Sequence, residues 1–511
     1  MRCDNSASSA TYTRSLLSKK EIMLDNFTVG SPKERTNSDS HIRSGVLSAA
    51  GTTAAAVVLL PLATSVARSR KWLLAIIILD IPLQIGAHLY WSEDLGASGA
   101  LGGLEISVTT VAMLGLYFLW FVGYISRKEQ ERQISLRSAL PLTLYLVFEA
   151  VSLLAARNPV LGLYEVILTA QLLLLFVYLT NWIQTRRDVA FVMRVLLIGL
   201  MLEAGIIIAL TINGHDVEIP GLPGHTLLAG TTEEGEEFSR PSGTLASPNV
   251  AGSYLSIMLT LAIGLLLFTR IHSWHKTAAL VSVGMGTVAL LFTYSREGWL
   301  ALFCSMLLLC CAGWRLLPVR HRLVIVGVPA ALLVSLMFDT PLSQRLLEGD
   351  EGAASSRIVL NNLAIRVIED HPVIGVGANN FTLNLREYAT SEVMGEWLYA
   401  VHNKYLLIWA EAGLGALLAY LWFLFASLRR GWRCWKDKDP LYSPLALALV
   451  CGICALMICN MFQADRGRPL MQLLIVFAAL VGTIQPWTTS AFNGRTISHI
   501  RVETIAQRQF A

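Results

Sequence analysis

The chain has 511 residues, of which 54% are hydrophobic and 15% charged, and its mean hydropathy is +0.54. Such a composition excludes an ordinary soluble domain. The net charge of +4 gives no reason to expect a nucleic-acid partner; in a membrane protein the informative quantity is which loops hold the Lys and Arg.

Residues 1–43 are polar, rich in Ser, Thr and Asn, and lack an apolar core. They are expected to form a disordered tail and have the pattern of neither a signal nor a transit peptide. From residue 44 to residue 487, apolar runs long enough to cross about 30 Å of hydrocarbon follow one another. Spans are predicted at 44–67, 72–91, 105–125, 139–156, 159–182, 189–212, 248–269, 277–294, 299–317, 323–338, 404–427, 442–462 and 469–487. Continuous runs indicate helices rather than the alternating strands of a barrel, so the expected fold is an all-α polytopic membrane protein of about 12–13 transmembrane helices. It divides into N-terminal helices (44–212), a central group with a first loop (213–338, the loop 213–247), a large loop (339–403), C-terminal helices (404–487) and a tail (488–511).

Every second connection is basic. Arg127, Lys128, Arg132 and Arg137 share one, Arg186 and Arg187 the next, Arg270 and Lys276 a third, and Arg315, Arg320 and Arg322 a fourth. Arg429, Arg430, Arg433, Lys436 and Lys438 form the last. The positive-inside rule places these in the cytoplasm together with the C-terminal tail. The long connections 213–247 and 339–403 then face outward, and loops of that length are functional or disordered. In the second, residues 355–370 carry Ile358, Leu363, Ile365 and Ile368 near one helical face after a Ser start signal, which predicts a helix on the membrane surface or over a cavity. No internal repeat is evident, which weighs against a transporter built from duplicated halves.

Cys304, Cys310, Cys311, Cys451, Cys454 and Cys459 sit in apolar runs, so packing is expected of them rather than a disulfide framework. Cys451 and Cys454 have metal spacing but no second pair to complete a site. The acidic run T-T-E-E-G-E-E-F at 231–238 could bind a divalent cation, yet carboxylates in a polar loop are more often solvated.

The outward connections hold the polar residues of interest. R-P-S-G-T-L-A-S-P-N-V-A-G, 240–252, uses Pro241, Gly243 and Pro248 to deliver Arg240 and Asn249 to the membrane boundary. An arginine there can fork onto a phosphate, or simply anchor a helix among headgroups. T-Y-S-R-E-G, 293–298, puts Arg296 on the side that the positive-inside rule disfavours, with Glu297 as its plainest partner. Arg357 and Arg366 lie on the predicted surface helix, and Asp465, Arg466 and Arg468 in the last outward hairpin. Several guanidiniums on one face suit a lipid-linked pyrophosphate. H-P-V-I-G-V-G-A-N-N-F, 371–381, lacks the third glycine and the strand of a dinucleotide loop, and His371 is read as structural.

V-H-N-K-Y-L-L-I-W-A-E-A-G-L-G, 401–415, places His402 at the mouth of a span, where a neutral imidazole can accept a proton. A lone interfacial His is usually an anchor. Asn403 beside it, Glu411 two turns into the span, and Gly413 and Gly415, which admit a close neighbour, favour a site.

Taken together, R-P-S-G-T with P-N following, T-x-S-R-x-G, the S-R of the large loop, H-P-x-x-G-x-G-x-N-x-F, and H-N-x-Y-L with E-x-G-L-G resemble the O-antigen ligase and polymerase superfamily over roughly residues 100–485. The resemblance implies a GT-C-like glycosyltransferase of the bacterial inner membrane, with its site at the periplasmic face beneath the large loop. Such proteins pass a glycan from undecaprenyl pyrophosphate to an acceptor hydroxyl on lipid A core, another glycan or a protein, among membrane lipids. It implies His402 as general base, Arg240 and Arg296 on the pyrophosphate, Arg357 as a secondary contact, and Asn403 and Glu411 in support. Asn249 and Arg466 are expected among the substrate contacts. Neither metal nor cofactor is implied. The ligase reading is placed first and a polymerase second. A flippase or secondary transporter would carry its charges near the midplane, where Glu149, Glu165, Glu203 and Glu411 are the main candidates. A structural scaffold would need none of these side chains individually.

Overall fold

The computed structural model describes residues 69–125, 136–218, 226–227, 240–245, 247–268, 273–314, 353–389, 399–437, 439, 442–464, 466 and 468–484. The expected tail 1–43, the spans 44–67 and 323–338, the acidic run 231–238 and the tail 488–511 lie outside these residues.

The chain is an all-α polytopic membrane protein, and among the described residues strand is confined to two short hairpins. In chain order the elements are α1 (Ser69–Leu83), β1 (Gly86–Leu89), α2 (Glu93–Ala97), β2 (Leu104–Ser107) and α3 (Val108–Ile125). There follow α4 (Leu140–Ser152), α5 (Pro159–Trp182), α6 (Arg186–Asn213), β3 (Val217–Glu218), β4 (Thr226–Leu227), α7 (Pro248–Phe268), α8 (Ser273–Phe292) and α9 (Arg296–Gly313). The last are α10 (Ala353–Asp370), α11 (Phe381–Tyr388), α12 (Lys404–Lys436), α13 (Tyr442–Cys459) and α14 (Arg468–Ile484). Among the described residues, seven helices are long and apolar enough to cross a membrane.

Local chemistry sets the boundaries. The Asn158 side chain accepts from the amides of Val160 and Leu161 ahead of Pro159, so α5 starts where the sequence predicts. Thr185 and Asp188 form a capping box that begins α6, and Gly214 ends it in the left-handed region. The predicted spans 72–91 and 105–125 are each cut short at one end. Asp80 accepts from the Ile85 amide at 2.8 Å and from Thr109 Oγ1 at 2.6 Å, so the chain leaves α1 at Leu83 and returns through the antiparallel pair β1–β2. Arg468 donates to the same carboxylate at 3.0 Å and to Glu105 at 2.8 Å, fastening α14 to this corner. Hydropathy alone cannot register such a polar tether within an apolar run.

α7 is buried almost all round, with α8, α9 and α13 against it, while α12 packs on α4 and α13. One continuous apolar core runs through the bundle. Outward-directed Leu114, Phe118, Leu163, Ile198, Leu307 and Phe425 leave the exposed surface apolar, as a lipid-facing surface requires. A second core of Leu360, Leu363, Val367, Phe381, Val401 and Leu407 joins α10 and α11 to the start of α12. The predicted helix at 355–370 is therefore present as α10, but its face is corrected. Leu360, Leu363, Ala364, Val367 and Ile368 are buried, whereas Ile358 and Ile365 are exposed on the opposite side.

α12 is broken inside the bundle. Gly413 has φ 77° and ψ 178°, which removes the helical donors for the carbonyls of Ala410 and Glu411. The 371–381 segment supplies replacements: the Val376 amide donates to Ala410 O and the Gly377 amide to Glu411 O, both at 2.9 Å, while the Leu414 amide donates to Pro372 O at 3.1 Å. Non-helical backbone at this depth persists because protein groups satisfy it.

Candidate functional site

The glycines of H-P-V-I-G-V-G-A-N-N-F form a joint. A Cβ on Gly375 would lie 2.3 Å from Glu411 O, and one on Gly377 would lie 2.5 Å from the Ala156 Cβ. The asparagines complete it. Asn379 bridges Leu101, accepting from its amide at 2.8 Å and donating to its carbonyl at 3.0 Å. Asn380 does the same for Asn158, at 2.8 and 3.1 Å. His371 has an exposed side chain, and its carbonyl accepts from the Gly375 amide at 3.1 Å. Gly413 admits the Val373 carbonyl, and Gly415 the Phe148 ring of α4, so the pair that the sequence singles out admits one loop and one helix.

Glu411 and Arg466 meet each other. Arg466 Nη2 donates to Glu411 Oε1 at 2.7 Å, and Nη1 donates to Glu411 Oε2 at 2.8 Å and to Glu165 Oε2 at 3.0 Å. All three side chains are nearly closed to solvent. Glu411 Oε1 also accepts from the Phe381 amide at 2.9 Å. Arg466, expected among the substrate contacts, is thus enclosed by carboxylates and ties α5, α12 and the loop before α14 together. The pairing of two carboxylates with one guanidinium explains why Glu165 and Glu411 tolerate burial.

The 240–252 segment is held from beneath by Glu203 of α6. Its Oε1 accepts from the Thr244 amide at 3.1 Å and its Oε2 contacts Thr244 Oγ1. Gly243, at φ 66°, lies so close to that carboxylate that a Cβ would sit 2.2 Å from Oε1. Arg240, half-buried, is thereby aimed across the start of α7, with Nη2 donating to Asn249 Oδ1 at 2.9 Å and Nε to Thr293 O at 3.4 Å. Asn249 is a fixing partner for Arg240.

Arg296 opens α9 as a half-buried residue of its first turn, behind the Ser295 cap, and Glu297 follows it, buried. The positive charges of Arg357 and Arg240 both act on Glu297. Arg357, half-buried on α10, also acts on His402. Arg240, Glu297, Arg357 and His402 therefore form one electrostatic cluster contributed by the 240–247 loop, α9, α10 and the start of α12. It lies at the end of the bundle opposite Arg186, Arg187 and the basic last turn of α12.

His402 is braced on both sides. The Ala400 amide donates to Ser98 O at 3.1 Å, and Gly99, in the left-handed region, lets the Tyr399 ring close against it. The imidazole stacks on that ring with centroids 5.3 Å apart and planes 17° from parallel. Asn403 caps α12, its side chain accepting from the amides of Tyr405 and Leu406 at 3.0 and 3.2 Å. Burial, and then the Arg357 charge, hold the His402 imidazole below its ordinary pKa of 6.5. A neutral ring at physiological pH is a competent proton acceptor.

Tyr399 and Asn380 were not singled out in the sequence, Thr244 and Asn379 stood there only as motif positions, and Glu203 only as an intramembrane carboxylate. The two asparagines were legible as a polar pair closing a glycine turn; Tyr399 carried no signal of its own.

Residues 278–421, from α8 into the first half of α12, match the family model described as O-antigen ligase (Wzy_C). This stretch contains Arg296, Arg357, His402 and the whole 371–381 joint; Arg240 and Asn249 precede it, and Arg466 follows it. No curated protein matches the chain. The motifs, the membrane-spanning bundle and the matched segment agree: residues 278–421 of this multi-pass membrane protein are similar to the O-antigen ligase family model.

Proposed function

We propose that the chain is a membrane glycosyltransferase that moves a glycan from undecaprenyl pyrophosphate to an acceptor hydroxyl at the periplasmic face of the bacterial inner membrane. The observation that carries this reading is the convergence of Arg240 and Arg357 with a neutral His402 at the bundle end away from the basic connections. A lipid-linked donor holds its pyrophosphate at headgroup depth, its prenyl chain in lipid and its sugar in water. Cations and base must then stand at the lip of the spans, and the position of His402 two residues before the start of α12 supports this.

In the reaction His402 takes the proton of the acceptor hydroxyl as its oxygen attacks the anomeric carbon. The bond from that carbon to the pyrophosphate oxygen breaks, and the leaving group departs with the electron pair. Arg240 and Arg296, with Arg357 nearby, stabilise the charge that grows on it, worth several kcal/mol when it is strongest in the transition state. Asn249 fixes Arg240, Asn403 fixes the backbone that bears His402, and Glu411 with Arg466 holds the broken helix in register. The residues set no requirement for a metal in this scheme. Lipid A core is the first-choice acceptor, which makes the protein a ligase; the end of a second lipid-linked glycan would make it a polymerase.

The glycan profile of cells lacking the gene tests this. Accumulated donor with uncapped lipid A core identifies the ligase, and loss of long chains with single repeats still transferred identifies the polymerase. An unchanged profile overturns both.

A further inference from the structure

The buried carboxylate of Glu297 is not accounted for by the transfer chemistry. Both of its oxygens are shielded from solvent, and neither has a hydrogen-bond partner placed by geometry among the described residues. Leaving such a group short of donors is costly, the more so when it is charged, so a buried carboxylate with too few donors points to a place where donors are supplied from outside. The nearest neutral candidate does not remove the need. Ser253 stands beside Glu297 and accepts from Gln463 Nε2 at 2.7 Å, and its single hydroxyl proton can serve at most one of the two carboxylate oxygens. The guanidiniums of Arg240 and Arg357 act on Glu297 electrostatically. Arg240 is turned towards Asn249 and Thr293.

We infer that Glu297 is the sugar subsite of the donor: its carboxylate accepts hydrogen bonds from hydroxyls of the hexose attached directly to the pyrophosphate. This rests on the reading of the site as one for a lipid-linked pyrophosphate. Arg240 and Arg357 act on Glu297 and are the cations assigned to the leaving group, so the sugar next to the phosphate falls against Glu297. The donor enters from the side of the guanidiniums, whose long side chains turn onto the phosphates and uncover the carboxylate. A carboxylate cannot be attractive to a pyrophosphate, so its presence among the arginines weakens bare phosphate binding and favours a ligand that also brings hydroxyl donors.

The test compares two probes, undecaprenyl pyrophosphate and undecaprenyl pyrophosphate carrying one glucose, on the full chain in nanodiscs. Wild type, Glu297→Gln and Glu297→Ala are measured, the Gln form keeping the volume of the side chain. The wild type should bind the glucosylated lipid about tenfold more tightly than the bare one, as expected for hydrogen bonds to a charged acceptor. Glu297→Ala should lose that increment while binding bare undecaprenyl pyrophosphate at least as well as the wild type, with Glu297→Gln between. An increment that survives in Glu297→Ala overturns the subsite. Parallel weakening of both lipids also overturns it, because that is what a purely structural carboxylate would produce. If the wild type binds neither lipid, the glycosyltransferase reading itself fails, which is a distinct result.

Discussion

The amide of Gly377 donates to the carbonyl of Glu411 across 2.9 Å, so a loop strand takes the place of the helical turn that Gly413 interrupts in α12. The same Glu411 receives the Phe381 amide on its side chain and the Arg466 guanidinium on both oxygens. His402 sits nine residues before that point, so its depth depends on this joint.

Gly413 should not tolerate any side chain. At φ 77° a Cβ is strained, and it would stand 1.9 Å from the Val373 carbonyl, a backbone atom that cannot swing away. Gly413→Ala is expected to cost about 3 kcal/mol or more, read as a lower thermal midpoint in detergent. A midpoint unchanged within error would contradict the joint.

Breaking the buried ion pair should be worse than removing it. Arg466→Met leaves Glu411 and Glu165 without their cation and is expected to destabilise by about 3–5 kcal/mol. Adding Glu411→Gln to Arg466→Met should recover part of that loss, because one stranded charge goes with it. The check is a double-mutant cycle on unfolding midpoints. Additive losses would show that the two side chains act independently.

Arg240→Lys keeps the charge but not the fork that reaches Asn249 and Thr293. Transfer should drop roughly a hundredfold, the scale of losing one preorganised donor to a developing charge. Asn249→Ala should lose less, since the guanidinium remains. The comparison of kcat for the two variants decides it, and equal losses would assign Asn249 a direct role.

The pH profile carries a sign. His402 is held below 6.5 by burial and by Arg357, so the acid limb of kcat/KM in the wild type should have its midpoint beneath pH 6.5. Arg357→Gln removes a positive charge and should move that decline to higher pH. An acid limb that does not move on this substitution would separate Arg357 from the base.

Much of the helix map was legible because lipid demands continuous apolar runs and local caps fix their ends; α5 begins at Pro159 because Asn158 and Pro159 make a start signal that sequence displays. The hairpin β1–β2 was not legible, since Asp80 ends α1 through contacts with Thr109 and Arg468, far away in sequence. At the site, Arg240 and His402 stood out as polar groups at the ends of spans. The enclosure of Arg466 did not, because which carboxylates face a guanidinium depends on how α5 and α12 pack. The face of α10 differs from the expected one for a similar reason: its three isoleucines and the leucine and valine positions between them admit two stripes, and only the core around Val401 and Phe381 selects between them.

The most direct measurement is the rate of glycan transfer from an undecaprenyl-pyrophosphate donor by reconstituted wild type and His402→Ala, at equal amounts of folded protein. His402→Ala is expected to lose about 10²–10⁴-fold in kcat with donor binding retained, as for removal of a general base. A rate within a few-fold of wild type would contradict it and leave His402 as an anchor at the membrane surface.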